Sequence, residues 1–397
     1  MIIPENHSAK SLMTVSRRHF VHGLIAGASV YCLTPNLLDG RGVILAQTIG
    51  PSSAKQDAAA LLDQALEIFA RSGPEYGGGL SNHGPMGVEA LIKLGRPEAV
   101  MPWVEQYKRG LQGPVESRNA ISRKDWREAL GDINRVGDWI VFFNREMKEN
   151  PWRTVLRQWI PRLAPGLVGA AAHALIRTSH AVRSLEERET EIRRQELVQG
   201  LAYWAARYTR LPMSPKHKSA GLKPSQAITQ VKTLPVEQRA GDGLITPRLR
   251  PLDEFSPFEN VTNLVDSAGN PSQFISDLTA TFAGVYLANA KNSTSSFALL
   301  HAVTGASAVR LLLPYVKPEA TRDLLRYAWQ AVAALYAAFG SIPVPDALDN
   351  RPQNKEDLID RAVAKLTRDV HAVKLTEVCL REYELNPNPV YLLAARQ

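Results

Sequence analysis

An all-α fold is what this sequence predicts: a single large multi-helix domain behind a cleavable N-terminal segment. Three observations predict it. From Ala54 onward, apolar residues recur at helical spacing in one segment after another. Alternating runs of β-branched residues bounded by turn signals are nearly absent, so little sheet is expected. The 397 residues are 45% apolar and 22% charged, the balance of a folded soluble chain with material for a large core. No repeat of fixed period is visible, which argues against a helical solenoid.

Residues 1–46 read as a targeting segment. Ser16-Arg17-Arg18-His19-Phe20-Val21 has the twin-arginine pattern, and the moderately apolar run Gly23–Val30 follows. That run is too short to span a bilayer as a mature helix. Ala46 ends Val43-Ile44-Leu45-Ala46 and offers a cleavage point. The expectation is export by the twin-arginine machinery to the periplasm or beyond, with residues 47–397 as the mature helical domain and no stable membrane insertion.

The helices follow in order. Ala58–Ala70 places Leu61, Leu62, Ala65, Ile68 and Phe69 on one face, and Ser72-Gly73-Pro74 with Gly77-Gly78-Gly79 ends it. Pro85–Leu94 closes at Gly95, and Pro97–Leu111 opens on a proline suited to a first turn. Ala129–Glu149 carries the aromatic run Trp139 to Phe143. Trp152–Leu163, Leu167–Glu187 and Glu189–Arg207 come next. Pro271–Ala290, Ser295–Leu313, Glu319–Phe339 and Glu356–Tyr383 complete the set. Between them, 212–251 holds six prolines and a surplus of Lys and Arg over Glu237 and Asp242. A continuous helix cannot pass through it. It reads as a long basic loop, either a solvated excursion or a lid over a site.

Charge and cysteine content exclude several classes. A net charge of +8 over this length, with no block of like charge, makes no case for nucleic acid. Two cysteines, Cys32 and Cys379, are too few for a disulfide framework or a thiolate metal site. No dinucleotide fingerprint, phosphate loop, Gly-x-Ser-x-Gly elbow or His-Glu-x-x-His is present.

Histidines carry the chemistry that remains. His83 stands in Asn-His-Gly-Pro at a helix start. His173 and His180 on one predicted helix, and His301 and His371 on two others, lie among apolar residues, and His217 in Pro-Lys-His-Lys reads as surface. Converging imidazoles are how helical domains hold metals, whereas a lone histidine in a core is usually neutral and structural. His371 and Lys374 are one turn apart on a single face. His173 and His180 are two turns apart, about 10 Å, so one metal does not take both, and His180 is assigned a supporting or structural place.

On GGGLSNHGPMGVEALIKLGRPEAVMPWVEQY (77–107), HALIRTSHAVR (173–183), LLHAVTG (299–305) and HAVKLTEVCLREY (371–383), the chain resembles the questin oxidase-like family. The family includes fungal enzymes that oxidatively open anthraquinone rings. The resemblance implies non-haem Fe(II) with O₂ as co-substrate. Carried over residue by residue, the metal ligands are His83, His173, His301 and His371, with Lys374 as a carbamate. The chain departs from the fungal pattern at Arg177, where a histidine is usual, and at His180, where a tyrosine is usual. Family members have been described as using NADPH, but no motif for it is present. Trp139, Phe142 and Phe143 are candidates for an apolar substrate pocket, with core packing as their other role.

The resulting expectation is an exported all-α oxidoreductase that uses O₂ on an aromatic or quinone-like small molecule. A zinc hydrolase and a non-enzymatic helical binding protein are the alternatives. The hydrolase predicts activity without O₂, and the binding protein predicts no metal.

Overall fold

Fifteen α-helices, joined by 3₁₀ turns, make up nearly all the regular structure among the described residues. The computed structural model describes residues 51–215, 218–239, 241–345 and 352–397. The segment 1–46 with Cys32, and His217, lie outside them. The helices are α1 (Pro51–Phe69), α2 (Gly84–Lys93), α3 (Val100–Tyr107), α4 (Val136–Glu149), α5 (Trp152–Leu163), α6 (His173–Glu187) and α7 (Glu191–Ala206). After these come α8 (Pro224–Ala227), α9 (Ser256–Glu259), α10 (Pro271–Ala288), α11 (Ser293–Leu312) and α12 (Pro318–Phe339). The last are α13 (Lys355–Lys365), α14 (Val370–Leu385) and α15 (Pro389–Arg396). The sheet among the described residues is one two-stranded hairpin, Glu75–Tyr76 against Leu80–Ser81. The protein is all-α.

Local chemistry sets the helix starts. The Asn270, Asn292, Asn354, Asp369 and Asn388 side chains accept from the first-turn amides of α10, α11, α13, α14 and α15. Proline supplies the opening turn of α10, α12 and α15.

Where the structure departs from the expected helices, a specific residue breaks them. Gly131, at φ 78°, stops a helix from running back from α4 to Ala129. Asp369 divides the expected helix 356–383 by capping α14. The largest departure is at 167–187. Ala170, Ala171 and Ala172 adopt φ of 51°, 54° and 66°, so the helix begins only at His173. Left-handed alanine costs about 1–2 kcal/mol per residue, and periodicity cannot reveal it. Gly169 just before it packs on the Arg207 carbonyl, where a Cβ has no room.

The described residues of 212–251 form short turns and α8, as the prolines require. The stretch is not a solvated excursion: Ala227, Ile228, Leu234 and Leu249 are buried in the main core. The Thr246 hydroxyl accepts from the Ala171 amide at 2.8 Å, so the loop braces the left-handed turn.

Ser293–Tyr315 is the one described stretch of helix long and apolar enough to cross a bilayer, and 72% of its apolar window is buried inside the fold. Trp139, Phe142 and Phe143 pack in the main core with Trp159 and are at most 2% exposed. They pack as core through α4 on α5 and α7, the other role expected of them, and Phe142 also edges a cavity with Trp126 and Trp159.

Four helices position the site. α2 packs on α6 and α14, and α11 packs on the same two, closing a ring. Gly87 lets α2 come close to α14, since a Cβ there would stand 2.7 Å from Val370 and 2.5 Å from Trp103. Val370 adjoins His371.

Candidate metal centre

Each helix of the ring contributes one imidazole. His83 is the N-cap of α2, His173 opens α6, His371 is the second residue of α14, and His301 lies mid-way along α11. One nitrogen from each lies within 4.8 Å of the other three. The ring centroids make a closed quadrilateral: 4.7 Å from His83 to His173, 4.5 Å on to His301, 5.0 Å on to His371 and 4.5 Å back to His83.

Hydrogen bonds at the outer nitrogens orient the rings. His173 Nδ1 donates to the Ala170 carbonyl at 2.6 Å, and His301 Nδ1 to the Phe297 carbonyl at 2.8 Å. His371 Nδ1 donates to the Asp369 carboxylate at 2.7 Å. These acceptors have no proton to give, so each Nδ1 carries the ring's hydrogen and each Nε2 keeps its lone pair. The left-handed alanine turn thus aims the Ala170 carbonyl at His173. Asp369 both caps α14 and fixes the His371 ring.

The inward nitrogens of His173, His301 and His371 are therefore acceptors. His173 Nε2 and His301 Nε2 stand 3.1 Å apart, with His83 Nε2 2.8 Å from His173 Nε2. His371 Nε2 is buried with no hydrogen-bond partner. Two lone pairs at 3.1 Å repel unless a cation lies between them. A proton does not serve, because burial holds the pKa of His83, His173 and His301 well below the usual imidazole range, and Lys374 adds to the effect. Burial, with Lys374 second, lowers His371 to about 4. Nitrogens bonded to one first-row metal at about 2.1 Å stand about 3.0–3.4 Å apart, close to the spacing here. The donor set and its orphaned lone pairs fit a divalent metal.

Lys374 stands one turn beyond His371, 1% exposed, and its Nζ has no hydrogen-bond partner. Burial lowers its pKa to about 7. Its charge bears on all four histidines, which places it beside the cluster. A snorkelling surface lysine is excluded.

His180 does not join the four. Its Nδ1 lies 2.7 Å from Glu89 Oε2, and no hydrogen bond among the described residues links it to a cluster histidine. Two turns of α6 carry it away from His173, and Glu89 is six residues along α2 from His83. Of the supporting and structural places expected for His180, the structure gives the structural one, in a buried ion network. Arg177, where the fungal pattern has histidine, is also withdrawn: it makes a two-pronged pair with Glu196 at 2.6 and 2.8 Å.

Three contributors escaped the sequence reading. Asp369 was readable in principle, as a capping residue two positions before a histidine. The Ala170 and Phe297 carbonyls were not, since any residue type supplies them.

The questin oxidase-like family profile matches residues 80–379, most of the chain, and spans all four histidines and Lys374. The chain belongs to the questin oxidase-like family. No curated protein sequence matches it. Membership supports an oxidase class of activity, and the four-histidine cluster is compatible with a metal cofactor in it.

Proposed function

We propose that this family member is a non-haem iron oxidoreductase that uses O₂ to oxidise an aromatic or quinone-like small molecule. His83, His173, His301 and His371 hold the metal, and Lys374 completes the set as a carbamate. One observation carries the reading: the 3.1 Å approach of two inward lone pairs whose rings are locked by carbonyl acceptors. Imidazole donors suit iron among other first-row metals, and a redox metal accords with an oxidase family.

When bound, Fe(II) supplies the electrons that O₂ accepts. The protein's own groups do the rest. Ala170, Phe297 and Asp369 hold three rings in the tautomer that presents a lone pair inward. Phe297 is 44% exposed, and its ring lies 5.2 Å from that of His301 and 4.8 Å from that of His371. It gives the cluster an aromatic solvent-facing wall against which a flat substrate packs. The buried amine of Lys374 is suited to carbamate formation. Neutral amine attacks CO₂, a C–N bond forms, one proton leaves, and an anionic oxygen donor replaces a cation that would repel the metal.

The test is metal analysis of protein purified from cells, followed by O₂ uptake on hydroxyanthraquinones with an anaerobic control. Iron retention and O₂-dependent turnover are expected. Activity that persists without O₂ would move the reading to a zinc hydrolase, and a chain that takes up no metal would end it. Lys374→Met should lower iron affinity and lose the carbamate signal that labelled ¹³CO₂ gives in the native protein. We propose further that Arg17 and Arg18 direct twin-arginine export. Replacing both with Lys should keep the chain in the cytoplasm; unchanged periplasmic recovery would refute this.

A further inference from the structure

The four histidine-bearing helices meet a second time. On α6, Arg183 donates from Nε to Glu89 Oε1 of α2 at 2.6 Å, and a second guanidinium nitrogen reaches the other Glu89 oxygen. The same arginine bonds Glu377 of α14. Glu377 Oε1 accepts from Arg381 at 3.0 Å, and Arg381 reaches Glu382 at 3.2 Å. Glu382 accepts from Arg310 of α11 at 2.7 Å and from Ser307 at 2.5 Å. His180 closes the chain's other end on Glu89. Three carboxylates and three guanidiniums alternate without a gap, and all three carboxylates are at most 4% exposed.

The placement of this chain is regular. On every helix its members lie six to eleven residues past the histidine. At a rise of 1.5 Å per residue that is about 9–16 Å along the axis. All four helices therefore run in the same direction from the imidazole layer to the ionic layer.

We infer that this buried chain of alternating charge is a register clamp for the metal centre, with Glu89, Arg183 and Glu377 as positioning residues. The inference rests on the metal reading above. Burying ions is a poor way to gain stability, because well-packed apolar residues of similar volume do as well or better. Directionality is what ions add. An apolar helix face tolerates sliding, but a slip of one residue moves a helix 1.5 Å, three times the tolerance of about 0.5 Å for a ligand constellation. The planar fork of Arg183, engaged with α2 and α14 at once, fixes the rise of both against α6.

Cobalt(II) provides the probe, since its visible bands report ligand geometry. The triple variant Glu89→Leu/His180→Phe/Arg183→Met removes one carboxylate, one imidazole and one guanidinium and leaves Glu377 on Arg381. It should melt within a few degrees of the native protein, yet bind cobalt at least about 10-fold more weakly, with shifted bands. Arg183→Lys should restore part of the affinity, because it restores charge without the fork. Native cobalt affinity and native bands in the folded triple variant would overturn the clamp. If the triple variant does not fold, Glu89→Gln decides. A loss of about 3-fold or more with shifted bands supports the clamp, and an unchanged titration refutes it. A native protein that binds no cobalt fails at the metal reading itself, and the clamp falls with it.

Discussion

Trp139, Phe142, Phe143 and Trp159 pack ring on ring at centroid separations of 4.9–5.8 Å, and the four histidines do so at 4.5–6.1 Å. Both sets are mostly edge-to-face, and both are buried. The difference lies at the ring edge. In the aromatic cluster an edge hydrogen meets a π face and the contact calls for no cation, although the buried Trp159 Nε1 has no hydrogen-bond partner. In the histidine cluster a lone pair meets another lone pair, and the contact is incomplete without a cation. Equal packing thus yields a finished core in one place and a binding site in the other.

The largest expected effect that separates them is at His301. His301→Leu should abolish metal retention, exceeding the 10–100-fold loss typical when an outer partner is removed. It should also raise the melting temperature of the metal-free chain, because a buried lone pair is replaced by hydrocarbon. A rise without metal loss would dissolve the distinction. Next comes Phe143→Ala, which should cost about 3–5 kcal/mol in urea unfolding and leave metal per folded chain unchanged. Asp369→Ala should weaken metal binding about 10–100-fold by freeing the His371 ring, and cost about 1 kcal/mol as a lost cap.

The smallest effect is in pH. His371 titrates near 4 in the fold against an ordinary 6.5, so the unfolded chain takes up its proton first. Metal-free stability should therefore fall as pH drops from 6.5 to 4, then level off for this residue. The other three histidines act in the same direction. His371→Leu should flatten the profile and Phe143→Ala should not. A parallel slope in the two variants would contradict the histidine assignment.

Much of this was legible in the sequence, for physical reasons. Trp152–Leu163 has clean amphipathic spacing after a proline, and it forms as read. Imidazoles on otherwise apolar helix faces drew attention because they need a reason to be there, and the family resemblance selected His83, His173, His301 and His371 among them. The left-handed turn at Ala170–Ala172 was not legible: alanine is the best helix former, and only tertiary contacts, such as Thr246 on the Ala171 amide, hold it out of a helix. The ionic layer was hidden too, since Arg183 finds Glu89 and Glu377 at separations of 94 and 194 residues. Trp139, Phe142 and Phe143 were left between pocket and core because residue type alone does not say which way a helix faces.

The parallel run of the four histidine helices has a consequence for when the metal can bind. Each ligand comes from a separate return trip of the chain, the first at His83 and the last at His371. A ribosome adds 288 residues between the first of these imidazoles and the fourth. A chain that has not reached His371 lacks the set, so full occupancy requires all four helices to be made and folded together. A metal held by all four would follow the folding of this domain, the order that the proposed twin-arginine export requires.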